Sequence, residues 1–136
     1  MANKLFLDTN IIIDIIDEAR PSHPKAKATL IKIIQDDYEV YVSEDMISTV
    51  YYILRGNAKV LHFFKSILSQ WHIVPFGTDV IAEAIEVCIS SGKDLEDTMQ
   101  CLCAKKHGCT LLLTSDQTFI DCGVALMTYE QFLQKV

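Results

Sequence analysis

The sequence predicts an α/β domain built on a mostly parallel five-stranded sheet flanked by helices, and three observations carry that expectation. Short apolar runs of strand length alternate with longer stretches of helical periodicity along the whole chain. The run Thr110-Leu-Leu-Leu-Thr114 is apolar between its ends, as a strand covered on both faces should be. The first run, beginning at Leu5, ends abruptly in Asp8-Thr9-Asn10 before apolar residues resume in helical company, which reads as a strand delivering a polar cluster at its carboxyl end.

Taken in order, the first strand gives way to a helix over residues 11–18, and the two prolines of Arg20-Pro21-Ser22-His23-Pro24 break the chain. A second helix over residues 25–36 carries Ala28, Leu30, Ile31, Ile33 and Ile34 as a wide apolar stripe. Residues 39–42 (EVYV) are β-rich, and Ser43 is placed to cap a third helix over residues 44–55 that stops at Gly56-Asn57. A fourth helix spans residues 58–69, and residues 71–75 form the third strand, closed by Phe76-Gly77. Thr78 is expected to cap a helix over residues 79–90 that Ser91-Gly92-Lys93 ends, and Asp94 opens the next, which reaches His107 before Gly108. After the fourth strand at 110–114, Ser115-Asp116 turns into a short helical piece around Phe119. Residues 124–127 make the fifth strand, and Thr128 with Gln131 spells a capping box for the last helix. There are no repeats and no linker, so residues 1–136 read as one domain.

Composition excludes several classes. Charged residues are 22% and hydrophobic ones 50% of the chain, and no stretch stays uncharged long enough to cross a bilayer. The amino-terminal segment lacks a long apolar core and a small-residue cleavage site, so a cytoplasmic protein is expected. Five cysteines scattered in apolar segments suit reduced core thiols, and Cys101-Leu102-Cys103 followed by His107 does not match a standard zinc spacing. A net charge of −6 argues against simple electrostatic attraction to nucleic acid.

The acidic residues have an everyday reading one at a time. Asp8 would cap a helix, Asp94 and Asp97 would be a cap and a first-turn carboxylate, and Asp116 would belong to a turn. Their shared placement changes this. Asp8 and Asp116 both follow apolar strands at the carboxyl end, and Asp94 and Asp97 stand three apart on the first turn of one helix. Carboxylates gathered within ~4 Å repel by about 4 kcal/mol per pair at an effective dielectric near 20, so such a cluster calls for a compensating cation. Carboxylate oxygens suit Mg²⁺ or Mn²⁺, which also accept phosphate oxygens, and a cation-filled acidic pocket would answer the objection raised by the net charge.

These same residues carry a family resemblance over essentially the whole chain. LFLDTN at Leu5 to Asn10, VSEDMISTVYYIL at Val42 to Leu54, DLEDTMQCLCAKKHG at Asp94 to Gly108 and LLLTSDQTF at Leu111 to Phe119 together resemble the PIN-domain (PilT N-terminal) family. That family includes small metal-dependent ribonucleases and the toxins of virulence-associated toxin–antitoxin pairs. The resemblance implies a Rossmann-type three-layer fold with the first strand beside the fourth. It implies Asp8, Asp97 and Asp116 as catalytic acids that hold Mg²⁺ or Mn²⁺, and Asn10, Asp94, Thr114 and Ser115 as supporting polar residues; Asp94, on the same helix turn as Asp97, is expected to help hold the cation. It further implies RNA as substrate, a 5′-phosphate product, an antitoxin protein as partner and a homodimer.

The chain departs from the family at one acid. The usual glutamate of the helix after the second strand is replaced by Thr49, before Val50-Tyr51; Asp45 one turn earlier or Glu44 beside it would lend a carboxylate, or Thr49 itself would support the site by holding a metal-bound water. The acid that often precedes the phenylalanine is Thr118 here. A second reading, motivated by Thr49, is a catalytically impaired module that binds RNA or protein. A haloacid-dehalogenase-type phosphatase fits worse, since it would need an aspartate at Asn10. The lysines and arginines read mainly as solvated helix faces, with Arg55 the preferred RNA phosphate contact. Tyr51, Tyr52, Phe63, Phe64 and Trp71 read as core or dimer contacts rather than base-stacking platforms, and the dispersed histidines are given no general-base role.

Overall fold

The computed structural model describes residues 3–116 and 121–135. The order of elements is β1 (Lys4–Leu7), α1 (Thr9–Ile16), α2 (His23–Gln35), β2 (Glu39–Ser43), α3 (Asp45–Ile53) and α4 (Ala58–Ile67). There follow β3 (His72–Val74), α5 (Gly77–Ser91), α6 (Leu95–Lys106), β4 (Leu111–Leu113), β5 (Ala125–Met127) and α7 (Tyr129–Leu133). The five strands form one sheet in the order β3-β2-β1-β4-β5, and every pairing is parallel. Strand 1 does lie beside strand 4, with Leu5, Phe6 and Leu7 opposite Leu111, Leu112 and Leu113.

Position in the sheet explains composition. β1 is central, and Leu5, Phe6 and Leu7 are fully buried, so no polar side chain is tolerated on either face. The outer strands β3 and β5 are only half-covered, and each runs for three residues. On the helical side, α1 packs on α2, α3 and α4, and α2 packs on α7, whereas α5 and α6 pack on each other around Val80, Ala84 and Leu102. Phe64 joins the core with Phe63 and Trp71 packed against it, while Tyr52 faces solvent.

A buried carboxylate ties the two ends of the chain together. Asp14 on α1 accepts hydrogen bonds from Arg20 Nε (2.9 Å) and from Tyr129 Oη (2.7 Å), and its backbone carbonyl meets His23 Nδ1 at 2.8 Å. Each carboxylate oxygen is thus satisfied, which burial of a charge requires. The expected capping box of α7 is present, with Thr128 Oγ1 accepting from Gln131 N and Gln131 Oε1 from Thr128 N. Gly92 ends α5 in the left-handed conformation at φ +71°, the usual glycine stop.

Several expectations need correcting. α1 starts at Thr9 rather than residue 11, because the carbonyl of Asp8 already accepts from Ile11 N at 3.0 Å. Ser43 ends β2 instead of capping α3, and its hydroxyl donates to Asp45 Oδ1. α5 begins at Gly77, ahead of Thr78. The helical piece expected around Phe119, and Thr118 with it, lies outside the described residues.

The thiols differ as well. Cys101 and Cys122 are joined in a disulfide with Cα atoms 6.0 Å apart, while Cys88, Cys103 and Cys109 are free. The bridge links α6 to the segment before β5, where Cys122 packs against the α5–α6 cluster, so spacing along the chain gave no sign of it. A crosslink over a separation of 21 residues removes denatured-state entropy, so Cys122→Ser should lower stability by roughly 2–4 kcal/mol. Thermal denaturation of the variant, and of the wild type with and without a dithiol reductant, checks this. An unchanged melting temperature in both experiments would refute it.

Candidate active site

Because all strands run the same way, Leu7, Ser43, Val74, Leu113 and Met127 end at one edge of the sheet. The order reverses between β1 and β4, which is where parallel sheets open a crevice. Asp8 leaves β1 at that point, its N–H bonded to the carbonyl of Leu113 at 3.0 Å. Its carboxylate does not cap α1. Instead Thr114 Oγ1 donates to Asp8 Oδ2 at 2.9 Å while accepting from Asp116 N at 3.1 Å, so one hydroxyl orients the first acid and the turn carrying another.

Asp97 arrives from the first turn of α6. Asp94 is the N-cap of that helix, its Oδ1 accepting from Asp97 N at 2.9 Å, and this bond fixes where the helix starts. Asp94 is exposed and its cap role is met, yet its charge still acts on Asp97. Asp8 is only 4% exposed. Burial pushes its carboxyl up to about 6, the Thr114 hydroxyl and Thr9 N–H offset part of that, and the charges of Glu96 and Asp116 add to it. Asp97 is pushed up to about 7, first by burial and then by Asp94, Asp8, Asp116 and Glu96. These mutual effects place Asp8, Asp97 and Asp116 within one another's fields. Neither Asp8 nor Asp97 takes part in an ion pair among the described residues.

Other expected residues fall further out. Asn10 and Ser115 are exposed, at the start of α1 and before Asp116. Asp45, at the start of α3, holds the Ser43 hydroxyl, and after burial its charge is the next cause that raises the Glu96 carboxyl. Thr49 is half-buried one turn along α3, with no hydrogen bond to its hydroxyl among the described residues. Arg55 is not part of this cluster. It follows α3, about 15 Å along the helix axis from Asp45, in a separate cavity of about 460 Å³ lined also by Ile16, Asp17, Leu54 and Lys59.

Sequence reasoning missed three residues. Thr9, Glu96 and Gln100 are hydrogen-bonded to one another beside the acids. The available signal was Gln100 itself, a polar side chain between Met99 and Cys101, four residues after Glu96.

The donor set fits a hard divalent cation. Asp8 and Asp97 are oxygen donors, partly desolvated, raised in pKa by neighbouring acids and without a basic partner, and a cation would relieve each of those strains. As placed, no three acidic, histidine or cysteine side chains among the described residues are gathered tightly enough to hold an ion.

The fold and this cluster define a three-layer α/β domain with an acid-lined switch point. A family model described as the PIN domain matches residues 5–124, and the chain belongs to that family. It is 35% identical over 138 residues to Ribonuclease VapC1 of Aquifex aeolicus (strain VF5), spanning 98% of this chain and 96% of that protein. Among solved structures, the Mycobacterium tuberculosis toxin VapC20, described as cleaving the sarcin-ricin loop, superposes with a TM-score of 0.73 at 16% identity. That match covers 89% of this chain and 96% of the other. A toxin–antitoxin complex from Klebsiella pneumoniae gives 0.69 at 18% identity, covering 92% and 97%. VapBC2 from Rickettsia felis, bound to a DNA fragment from its promoter, gives 0.68 at 15%, covering 92% and 98%. At such identities the structures speak for the fold alone.

The raised pKa values fix a pH response. The folded chain keeps protons on Asp8 and Asp97 that the unfolded chain releases near pH 4, so the stability of the metal-free protein should fall as pH rises through about 6 to 7. Asp8→Asn should flatten that profile and raise the metal-free melting temperature at pH 7.5 by roughly 5 °C. Melting curves from pH 4 to 8 in chelator test both, and a wild type that gains stability over that range would contradict them.

Proposed function

We propose that this protein is a metal-dependent endoribonuclease that hydrolyses RNA phosphodiester bonds and acts as the toxin of a toxin–antitoxin pair. The observation that carries the reading is the buried Asp8 held by Thr114 among Asp97, Asp116 and Glu96, in a chain 35% identical to a curated ribonuclease. Asp8, Asp97 and Asp116 would hold the cation, Mg²⁺ or Mn²⁺, with Asp94 at the edge. When bound, a divalent cation lowers the pKa of water and neutralises charge on a phosphodiester.

The protein's own contribution is positional. Thr114 fixes the rotamer of Asp8, Asp94 fixes the start of α6 and hence Asp97, and the Thr114 to Asp116 bond shapes the turn after β4. An antitoxin partner is supported by the complexes among its structural relatives. The exposed row Ile81, Ile85 and Ile89, at successive turns of α5, supports a homodimer. No helix among the described residues is long and apolar enough to cross a membrane; the site of action we propose, by likeness to the VapC ribonuclease, is the cytoplasm.

In a cleavage assay with single-stranded RNAs and Mn²⁺, the wild type should cut, chelator should stop it, and Asp8→Asn, Asp97→Asn and Asp116→Asn should each lose at least roughly 100-fold. A wild type that cuts none of a panel of RNAs, and whose melting temperature does not rise with Mn²⁺, would instead be the impaired module suggested by Thr49, since a cation held only by the native state must stabilise it.

A further inference from the structure

The family's second acid is missing at Thr49, and α6 offers a carboxylate that the family pattern does not name. Glu96 is half-buried beside Asp97. Its Oε1 accepts from Thr9 Oγ1 and from Gln100 Nε2, each at 3.3 Å, and Gln100 Nε2 also donates to Thr9 Oγ1 at 2.7 Å. The triangle is anchored next to Asp8 through Thr9 and next to Asp97 through Glu96, so it moves with both acids. Oε2 of Glu96 has no hydrogen bond among the described residues.

The network is incomplete in one informative respect. Gln100 is fully buried, its amide nitrogen is held on Thr9 and Glu96, and its Oε1 has no hydrogen-bond partner among the described residues. That acceptor is open to a donor from outside the described residues. A hydrated divalent cation beside Glu96 carries the donors that such an oxygen lacks.

We propose that Glu96, positioned by Thr9 and Gln100, is the second acid of the site and supplies from α6 the carboxylate that Thr49 does not. The inference rests on the metal-dependent reading above. Oε1 is the anchored oxygen and Oε2 the one offered to the cation, while Gln100 acts through Glu96 as a positioning residue.

The test is Mn²⁺ binding to the full chain without RNA, by calorimetry and by the Mn²⁺-induced rise in melting temperature. Glu96→Gln should weaken binding roughly 10- to 100-fold and shrink the thermal shift, with the metal-free melting temperature unchanged or higher. Glu83→Gln, which removes the same charge from an exposed position on α5, should bind within about twofold of the wild type. Glu96→Asp should keep more affinity than Glu96→Gln. If the wild type takes up no Mn²⁺, the metal-dependent reading falls and this inference with it. If the wild type binds and Glu96→Gln binds equally well, only the role of Glu96 falls. Equal losses in Glu96→Gln and Glu96→Asp, with a lowered metal-free melting temperature, would make Glu96 a structural residue and also overturn it.

Discussion

The hydrogen bond from Thr114 to Asp8 joins residues 106 positions apart, and the site depends on it. It exists because β1 and β4 lie side by side in parallel register, so both strands release the chain at the same edge of the sheet. The bond also explains why Asp8 does not do what an aspartate before a helix usually does. Its carboxylate accepts from Thr114 beyond the neighbouring strand, and α1 starts without a side-chain cap. The helix can forgo the cap because Ile11, Ile12 and Ile13 bury it in the core.

Around that bond the electrostatics run against stability. Asp8, Glu96 and Asp97 are all held above their usual pKa, with burial the first cause and one another's charges contributing. Contrast Asp14, equally buried, whose two oxygens each receive a donor. One buried carboxylate is satisfied inside the fold and serves it, whereas the other set is left in mutual repulsion. Strongly perturbed acids converging at a sheet's switch point mark a functional site more often than a structural one.

Much of this was legible in the sequence, for identifiable reasons. Strand and helix periods gave every element that the structure describes, since the apolar pattern is set by the same burial that forms the sheet. Asp8, Thr114 and Asp97 stood out because strand ends and helix starts fix where a side chain emerges. Asp94 proved to be the cap its spacing suggested. Arg55 lies in a separate cavity rather than among the acids, because position along α3 says nothing about which end of the helix meets them. Glu96, Gln100 and Thr9 escaped notice because a hydrogen-bonded triangle across α1 and α6 depends on how the helices sit. The Cys101–Cys122 bridge was hidden for the same reason.

The order of the strands also governs when a site can come into being. β1 is made long before its partner, since β4 and the residue that orients Asp8 are more than a hundred positions downstream. Contacts of such long sequence separation form late, after the cost of closing the intervening loop has been met. A nascent chain halted anywhere before Leu111 has its first acid but no neighbouring strand to hold it, so premature termination products carry no assembled acid cluster. The cluster can assemble only once β4 has been made.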